Sequence, residues 1–341
     1  MKKTLLALAV AGISTSALAA GNMYDNGESS FNISGEIDTY LSTSEKKTNG
    51  VSKKKDADID LWAKIQIDAQ HKLNQDITLF GSFEIENGEG FGGDADNKSV
   101  STDDLYFGAY IGQNWGVAVG EIGDFGDTLD AITLDITNEG YDRGDDFVNG
   151  LESGGHAAAI KGSFEQLTVI ADVYLDQAEN NDVAYGVSAQ YAINDMFTVG
   201  AMYQDQGTRY NTNTRLVVDK NEVVEVKTLE KFEYSIMGAS ARFNMNNFEA
   251  AVAYIVEDIN NEDLDTIAAA AAYQINDARL YTTFGFSDGE KDVEGHYYTL
   301  GTDYKLSANL KTFIEYSVVE TEETDKKVEG DLVVAGAYYT F

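Results

Sequence analysis

The sequence predicts an all-β fold, a transmembrane antiparallel β-barrel of about sixteen strands, and three observations lead there. Apolar and polar residues alternate with period two through most of the chain. The connections between those segments are alternately short and long. The last stretch is itself an alternating segment, and it ends on an aromatic residue, Phe341.

Composition narrows the classes first. The 341 residues include 58 Asp+Glu against 24 Lys+Arg, a formal net charge of −34, with no Cys and no Pro. A duplex nucleic-acid partner needs a positive surface and is not expected. Absence of cysteine excludes a disulfide scaffold and any cysteine-based zinc site. Hydrophobic residues make up 43% and aromatics 11%, which is too apolar for a disordered acidic chain.

The N-terminus reads as a secretory signal. Lys2 and Lys3 precede an apolar run from Leu5 to Ile13, and Ala17-Leu18-Ala19 supplies small residues at a cleavage site. Residues 1–19 are therefore expected to be removed, after Ala19 or Ala20, leaving 20–341 as one barrel domain. No later apolar run reaches the ~20 residues that a transmembrane helix needs.

In Phe31-Asn32-Ile33-Ser34-Gly35-Glu36-Ile37-Asp38 the odd positions are apolar or Gly and the even ones polar. Ile59–Ala69, Ile77–Ile85 and Leu167–Val173 repeat the pattern. Alternation sorts side chains onto the two faces of a strand, whereas a helix would group positions i, i+3 and i+4. Strands are expected at 30–42, 57–72, 76–87, 103–112, 115–121, 156–164, 167–176 and 182–192. The second half continues with 196–205, 230–243, 247–257, 265–274, 278–287, 294–305, 309–320 and 331–341. Facing is ambiguous around Met237. The short connections, such as Asn74-Gln75, Asn194-Asp195 and Asn276-Asp277, use residues whose side chains bond the local backbone in tight turns. The long ones (43–56, 87–102, 121–155, 177–181, 206–229, 258–264, 288–293 and 321–330) are heavily charged. The 206–229 segment reads as a hairpin projecting from the membrane.

One face carries Ala, Gly, Val and Ile, with aromatics toward strand ends: Phe83, Phe107, Phe164, Tyr191, Phe197, Tyr203, Phe243, Phe248, Tyr254, Tyr273, Phe286, Tyr304 and Phe341. Aromatic rings suit the half-wet headgroup level, so this face is assigned to lipid. The other face carries Glu36, Asp38, Asp60, Lys64, Asp68, Glu84, Glu86, Asp104, Asp172, Lys311 and Glu315. A barrel of about sixteen strands is too wide for side chains to fill, so that face meets water. At the C-terminus Val333, Ala335, Ala337, Tyr339 and Phe341 share the apolar face. Tyr339 and Phe341 together resemble the assembly signal of outer-membrane barrels.

The mature chain as a whole resembles the general, trimeric porins of Gram-negative bacteria. The resemblance is carried by Leu105-Tyr106-Phe107-Gly108-Ala109-Tyr110-Ile111-Gly112 and Asn114-Trp115-Gly116-Val117-Ala118-Val119-Gly120-Glu121, two hairpinned strands leading into a long third loop. It implies a homotrimer in the outer membrane, in contact with lipid and lipopolysaccharide. It also implies that residues 121–155 fold inward and constrict the pore, with Asp124, Asp127, Asp130, Asp135, Glu139, Asp142, Asp145 and Asp146 at the narrowing. Two departures stand out. General porins usually carry Arg where this chain has Glu121, and they place arginines opposite the acidic loop. Here Arg143, Arg209, Arg215, Arg242 and Arg279 all lie later in the chain. Lys64 and Lys161 are the basic candidates on that wall, and the proline motif of the loop is absent.

Acidic rings admit cations and exclude anions. With Glu36, Asp38, Asp60, Glu84, Glu86, Asp104 and Glu121 lining the pore beside Lys64, the expected function is passive, cation-selective diffusion of ions and small hydrophilic solutes, without catalysis, cofactor or bound metal. A second reading is an oligosaccharide channel, because Tyr40, Trp62, Phe80, Tyr106, Tyr110 and Tyr174 share the inward register and could stack on sugar rings. An adhesin or receptor is a third. His71, His156 and His296 are isolated in sequence and form no nucleophile–His–acid grouping. The lysines of 43–56 could meet lipopolysaccharide phosphates, and the external acids could hold Ca²⁺ or Mg²⁺.

Overall fold

The computed structural model describes residues 21–87, 100–134, 136–140, 151, 156–175, 181–219, 222–290, 293–323 and 326–341. Seventeen strands run in chain order: β1 (Gly21–Asp25), β2 (Ser29–Thr48), β3 (Val51–Lys72), β4 (Ile77–Asn87), β5 (Val100–Ile111), β6 (Trp115–Gly120), β7 (Ala157–Phe164), β8 (Leu167–Tyr174), β9 (Ala184–Ala192), β10 (Phe197–Asp219), β11 (Glu222–Met245), β12 (Phe248–Ile259), β13 (Asp263–Ile275), β14 (Ala278–Gly289), β15 (Val293–Ser307), β16 (Leu310–Glu323) and β17 (Lys326–Thr340). From β2 to β17 each strand pairs antiparallel with its neighbour in sequence, and β17 returns to pair with β2. The result is a closed sixteen-strand barrel. Closure matters because hydrocarbon offers no partner to an open strand edge.

All sixteen strands expected from alternation are present, and most extend further outward. Segment 43–56 is not a loop but the continuation of β2 and β3, turned at Asn49 (φ 49°) and Gly50 (φ 79°). Asn-Gly is a strong signal for a two-residue hairpin turn. The 206–229 segment continues β10 and β11 in the same way, as a hairpin, and 321–330 continues β16 and β17. Strand β1 was not anticipated, since its five residues are too few to show a period. At the opposite end the turns are short. Asn74 Oδ1 accepts from the Asp76 and Ile77 amides at 2.8 and 3.0 Å, and Asn194 does the same for Met196 and Phe197 at 2.8 and 3.0 Å.

The outward face is apolar. Ile37, Leu41, Leu61, Phe107, Val187, Val252, Phe284 and Leu300 are 41–63% exposed, and this is the surface that lipid covers. Aromatics form two tiers, and on four strands they stand six residues apart: Tyr185 and Tyr191 on β9, Phe197 and Tyr203 on β10, Phe248 and Tyr254 on β12, Tyr298 and Tyr304 on β15. Six residues span ~20 Å along a strand, a fitting separation for two interfacial belts around a band ~25 Å tall on tilted strands. In the outer tier the tyrosine hydroxyls turn to carboxylates, Tyr254 to Asp265 at 2.8 Å and Tyr185 to Asp205 at 3.3 Å. Met237 faces outward, 52% exposed, while its neighbour Ile236 is buried. Both faces are apolar there, which is why alternation could not orient that strand.

Strand β1 and the last residue, Phe341, both pair with β2. Phe341 and Gly35 exchange two backbone hydrogen bonds of 2.9 Å, and just beyond them Gly21 of β1 lies opposite Ile33. The Phe341 ring covers Gly35, where a Cβ would meet ring carbons at 2.4 and 2.7 Å and the Lys64 carbonyl at 3.0 Å. Gly35→Val is expected to dislodge the ring from the closing seam and to cost about 1–3 kcal/mol as an overpacked site. The check is the folded fraction of refolded protein, read from the mobility difference between heated and unheated samples on a denaturing gel.

Candidate functional site

After β6 the chain turns into the barrel. Gly120 has φ 119°, and a Cβ there would meet the Leu105 carbonyl at 2.2 Å, so only glycine permits the bend. Glu121 follows at once. Its backbone N–H donates to Leu105 O at 3.0 Å and its carboxylate accepts from Leu105 N–H at 2.9 Å. The carboxylate thus satisfies an amide of the irregular β4–β5 ladder and is not a free charge of the lumen.

The described part of 121–155 runs along the inner wall. Two short 3₁₀ turns, Gly123–Phe125 and Leu129–Ala131, carry it from β6 toward the opposite side. Ile122, Phe125, Leu129, Ala131, Ile132 and Leu134 are buried at 5% exposure or less. Leu129, Ile132 and Leu134 pack on Met202, Tyr234, Ile236, Ile255, Ala268 and Ala270 from the inward faces of β10–β13. The wall makes room by being small: a Cβ on Gly186 would lie 2.3 Å from Thr128 Oγ1, and one on Gly200 2.3 Å from the Ala131 carbonyl.

Polar side chains of the wall hold the loop in sequence. Lys161 Nζ on β7 donates to Phe125 O at 2.9 Å. Asp172 on β8 accepts from Thr128 N–H at 2.8 Å. Gln190 on β9 donates to Asp130 O at 2.7 Å. On β11, Ser240 donates to Ala131 O at 2.5 Å and Arg242 to Thr133 O. Farther round, Glu315 on β16 accepts from the Asn138 and Glu139 amides at 2.6 and 2.8 Å and from the Tyr281 hydroxyl at 2.6 Å. Tyr338 on β17 donates to the Glu139 carboxylate at 2.5 Å. Apart from Tyr338, which bonds a side chain, each anchor satisfies a loop backbone group that would otherwise be stranded away from water.

The acids expected on this loop divide. Asp124 and Asp130 are exposed, and Glu139 is half-buried under Tyr338. Asp127 does not line the lumen: it is 5% exposed, and its Oδ1 accepts from the Leu129 and Asp130 amides at 2.7 and 3.2 Å. A short acid commonly caps a turn in this way. Asp135, Asp142, Asp145 and Asp146 lie outside the described residues.

Acidic side chains also line the inner wall of β2–β5, which the loop touches through Glu121 at Leu105 and through Phe125 at Phe80. Glu36, Asp38, Asp60, Lys64 and Asp68 face inward on β2 and β3, opposite the outward Ile37, Leu41, Ile59, Leu61 and Ile65. Glu84 and Glu86 continue the wall on β4. Asp104 lies on β5 with φ 49°, beside a register shift that sets Asp103 opposite Glu84. Carboxylate oxygens of Glu84, Asp103 and Asp104 come within 4.8 Å of one another. Strict alternation turned Asp103 to the lipid side, and a bulge of this kind is invisible to a period-two reading. Lys64 Nζ lies 3.0 Å from Glu84 Oε2. Arg242 and Arg279 do reach the inner face, but on β11 and β14, where Arg242 binds loop carbonyls and Arg279 pairs with Asp303 at 2.7 Å.

The inward aromatics are covered. Phe80 stacks on Phe125 of the loop at 5.6 Å and meets Tyr110 at 4.4 Å and Tyr106 at 6.1 Å. Tyr174 is 5% exposed, and Tyr40 donates to Asp38 at 3.0 Å beneath Tyr338. Half-buried Trp62 donates its indole N–H to Glu86 at 3.0 Å. The sequence could not distinguish rings that line water from rings that support a loop. His71 pairs with Ser29 Oγ at 2.8 Å across the exposed β2–β3 ladder, and no carboxylate among the described residues bonds that ring.

A closed antiparallel barrel with a lipid-facing apolar surface, a polar interior and a loop folded against the inner wall defines an outer-membrane channel protein. Residues 4–324 match the family model described as Gram-negative porin, and the chain belongs to that family. It is 26% identical, over an alignment of 385 residues covering all of both chains, to outer membrane porin protein OmpD of Citrobacter koseri. Among solved structures it resembles OmpT of Vibrio cholerae in a loop L8 deletion form (TM-score 0.69, 16% identity, 92% of this chain and 100% of the other). A similar likeness holds for a trimer form of Vibrio cholerae OmpT (0.65, 14%, 92% and 100%) and for Salmonella typhi OmpF in complex with daunomycin (0.66, 16%, 94% and 100%). The protein is a multi-pass β-barrel of the outer membrane.

Glu315 is the acceptor on which the far end of the loop depends. Glu315→Ala leaves two loop amides and the Tyr281 hydroxyl without their charged partner, at about 1.5–3 kcal/mol per bond. The expected result is larger and noisier single-channel conductance, with the barrel still inserted in the bilayer.

Proposed function

We propose that this porin is a general diffusion pore that passes ions and small hydrophilic solutes and prefers cations. The observation that carries the reading is the acidic sector of β2–β5, whose central lysine is already ion-paired with Glu84, facing the exposed Asp124 of the inner loop. A water-filled lumen walled by one sign of charge concentrates the opposite ion and repels its own. Passage is passive, without chemistry. An oligosaccharide slide is less well supported, because the inward aromatics that suggested it are packed against the loop or engaged with wall carboxylates.

A trimer is part of the same reading, in keeping with the trimer form described for Vibrio cholerae OmpT. On the barrel strands, every tyrosine exposed on the outside among the described residues lies between β9 and β17. The outer face of β2–β5 carries Ile37, Leu41, Ile59, Leu61, Ile65 and Leu105. A sector whose outward aromatics, such as Phe107, lack the hydroxyl of the tyrosine belt suits contact with other subunits rather than with lipid. Removal of the signal segment after Ala20 would set the new N-terminus at Gly21, beside the Phe341 end of the closing seam. Lipopolysaccharide would meet the outward Lys47 and Lys54, which flank Glu45 at 3.6 and 3.1 Å.

Reconstituted channels under a KCl gradient are expected to give a cation-selective reversal potential that shrinks as total salt rises, because screening shortens the reach of wall charges. An anion-selective value overturns the reading. Insertion in three equal conductance steps is the expected signature of a trimer of open pores. Burial holds the loop carboxyl of Glu139 above the usual carboxylate range, with the Tyr338 hydrogen bond opposing that shift. A raised acid takes up its proton early as pH falls. Cation preference is therefore expected to decline before the pH reaches about 4, where ordinary carboxylates titrate, and reversal potentials measured from pH 7 downward check it.

A further inference from the structure

Lys64 stands directly between two carboxylates, with Glu36 opposite it on β2 and Glu86 opposite it on β4. Its ammonium turns instead to the diagonal neighbour Glu84, 3.0 Å away. The reason lies in the neighbours. Glu86 is held by the Trp62 indole N–H at 3.0 Å and the Ser101 hydroxyl at 2.8 Å, and the Lys64 ammonium lies over the Trp62 ring, 5.4 Å from its centroid. Glu84 has its side chain only 2% exposed. It is crowded by Asp103 and Asp104, whose oxygens approach within 4.8 Å. A buried carboxylate beside two others requires a counter-ion, and Lys64 supplies it. The lysine, with its side chain 24% exposed, retains an opening to the lumen through which it would act if it were released.

We infer that Glu84 is a specificity-determining positioning residue: it retains the Lys64 ammonium in a closed pair and so keeps a positive charge from being presented at the centre of the acidic wall. This rests on the reading of the protein as a cation-selective pore. It also accounts for how a wall that contains a lysine can act with a single sign. Without Glu84, Lys64 would open toward the lumen as an unpaired positive charge on the acidic wall.

Four channels in planar bilayers under a KCl gradient test this: wild type, Glu84→Gln, Glu86→Gln and the double variant Lys64→Gln/Glu84→Gln. Glu84→Gln and Glu86→Gln each remove one carboxylate charge, but only the first frees the lysine. The expected result is a fall in the cation-to-anion permeability ratio at least about twofold larger for Glu84→Gln than for Glu86→Gln, reversed toward wild type in the double variant. A fall in Glu84→Gln no larger than in Glu86→Gln, or a double variant that keeps the Glu84→Gln value, overturns the proposal. Should Glu84→Gln fail to insert, the charge swap Lys64→Glu/Glu84→Lys decides. A wild-type ratio supports the closed pair, and a shift toward anions overturns it. Differences between variants carry this test, whereas the sign of the wild-type reversal potential tests cation selectivity itself.

Discussion

Hydrocarbon offers no hydrogen-bond partner to a backbone amide, so the return of β17 to β2 is the interaction on which the rest of the molecule depends. Each other barrel ladder joins strands consecutive in sequence, all but β6–β7 without the long inner loop between them. The closing ladder joins the two ends of the chain, and the loop entropy between them must be overcome before its bonds can contribute. The seam is accordingly specified in detail. Phe341 bonds Gly35 through its backbone and covers it with its ring, while β1 extends the same edge of β2 toward the short-turn end.

Closure at sixteen strands creates the second constraint. The enclosed space is too wide for opposing side chains to meet, so the interior must be solvated or supplied with more chain. This protein does both, in different sectors. On β10–β13 the inner wall is Ala, Ile, Met and Tyr, and it packs against Leu129, Ile132 and Leu134 much as the core of a soluble protein would. On β2–β5 the inner wall is acidic, and the loop meets it through Phe125 stacked on Phe80 and through Glu121 at Leu105. The inner loop thus buries one apolar cluster against β10–β13 and a second around Phe80, Tyr106 and Phe125. Two other wall acids, Asp172 on β8 and Glu315 on β16, bind loop amides.

Expectations that rested on period two were legible wherever one face was apolar and the other polar. They were ambiguous around Met237, where Ile236 serves the loop and Met237 serves lipid, so both faces are apolar. They missed Asp103, because the irregular β4–β5 ladder changes which face the following residues serve. Individual acids could not be sorted by type alone. Asp124 is exposed, Asp127 caps a turn and Glu121 satisfies a ladder amide, although all three read equally as pore acids.

By itself the sequence determined the fold class, the strand order, the face turned to lipid and the acidic inner face of β2–β5. These follow from side-chain alternation and turn chemistry, which act between residues near in the chain. Only the tertiary structure decided which carboxylates are free, that the inward aromatics support a loop, and that Lys64 is neutralised by Glu84. Those outcomes depend on contacts across the lumen and on one-residue shifts of register, and neither leaves a periodic trace in the chain.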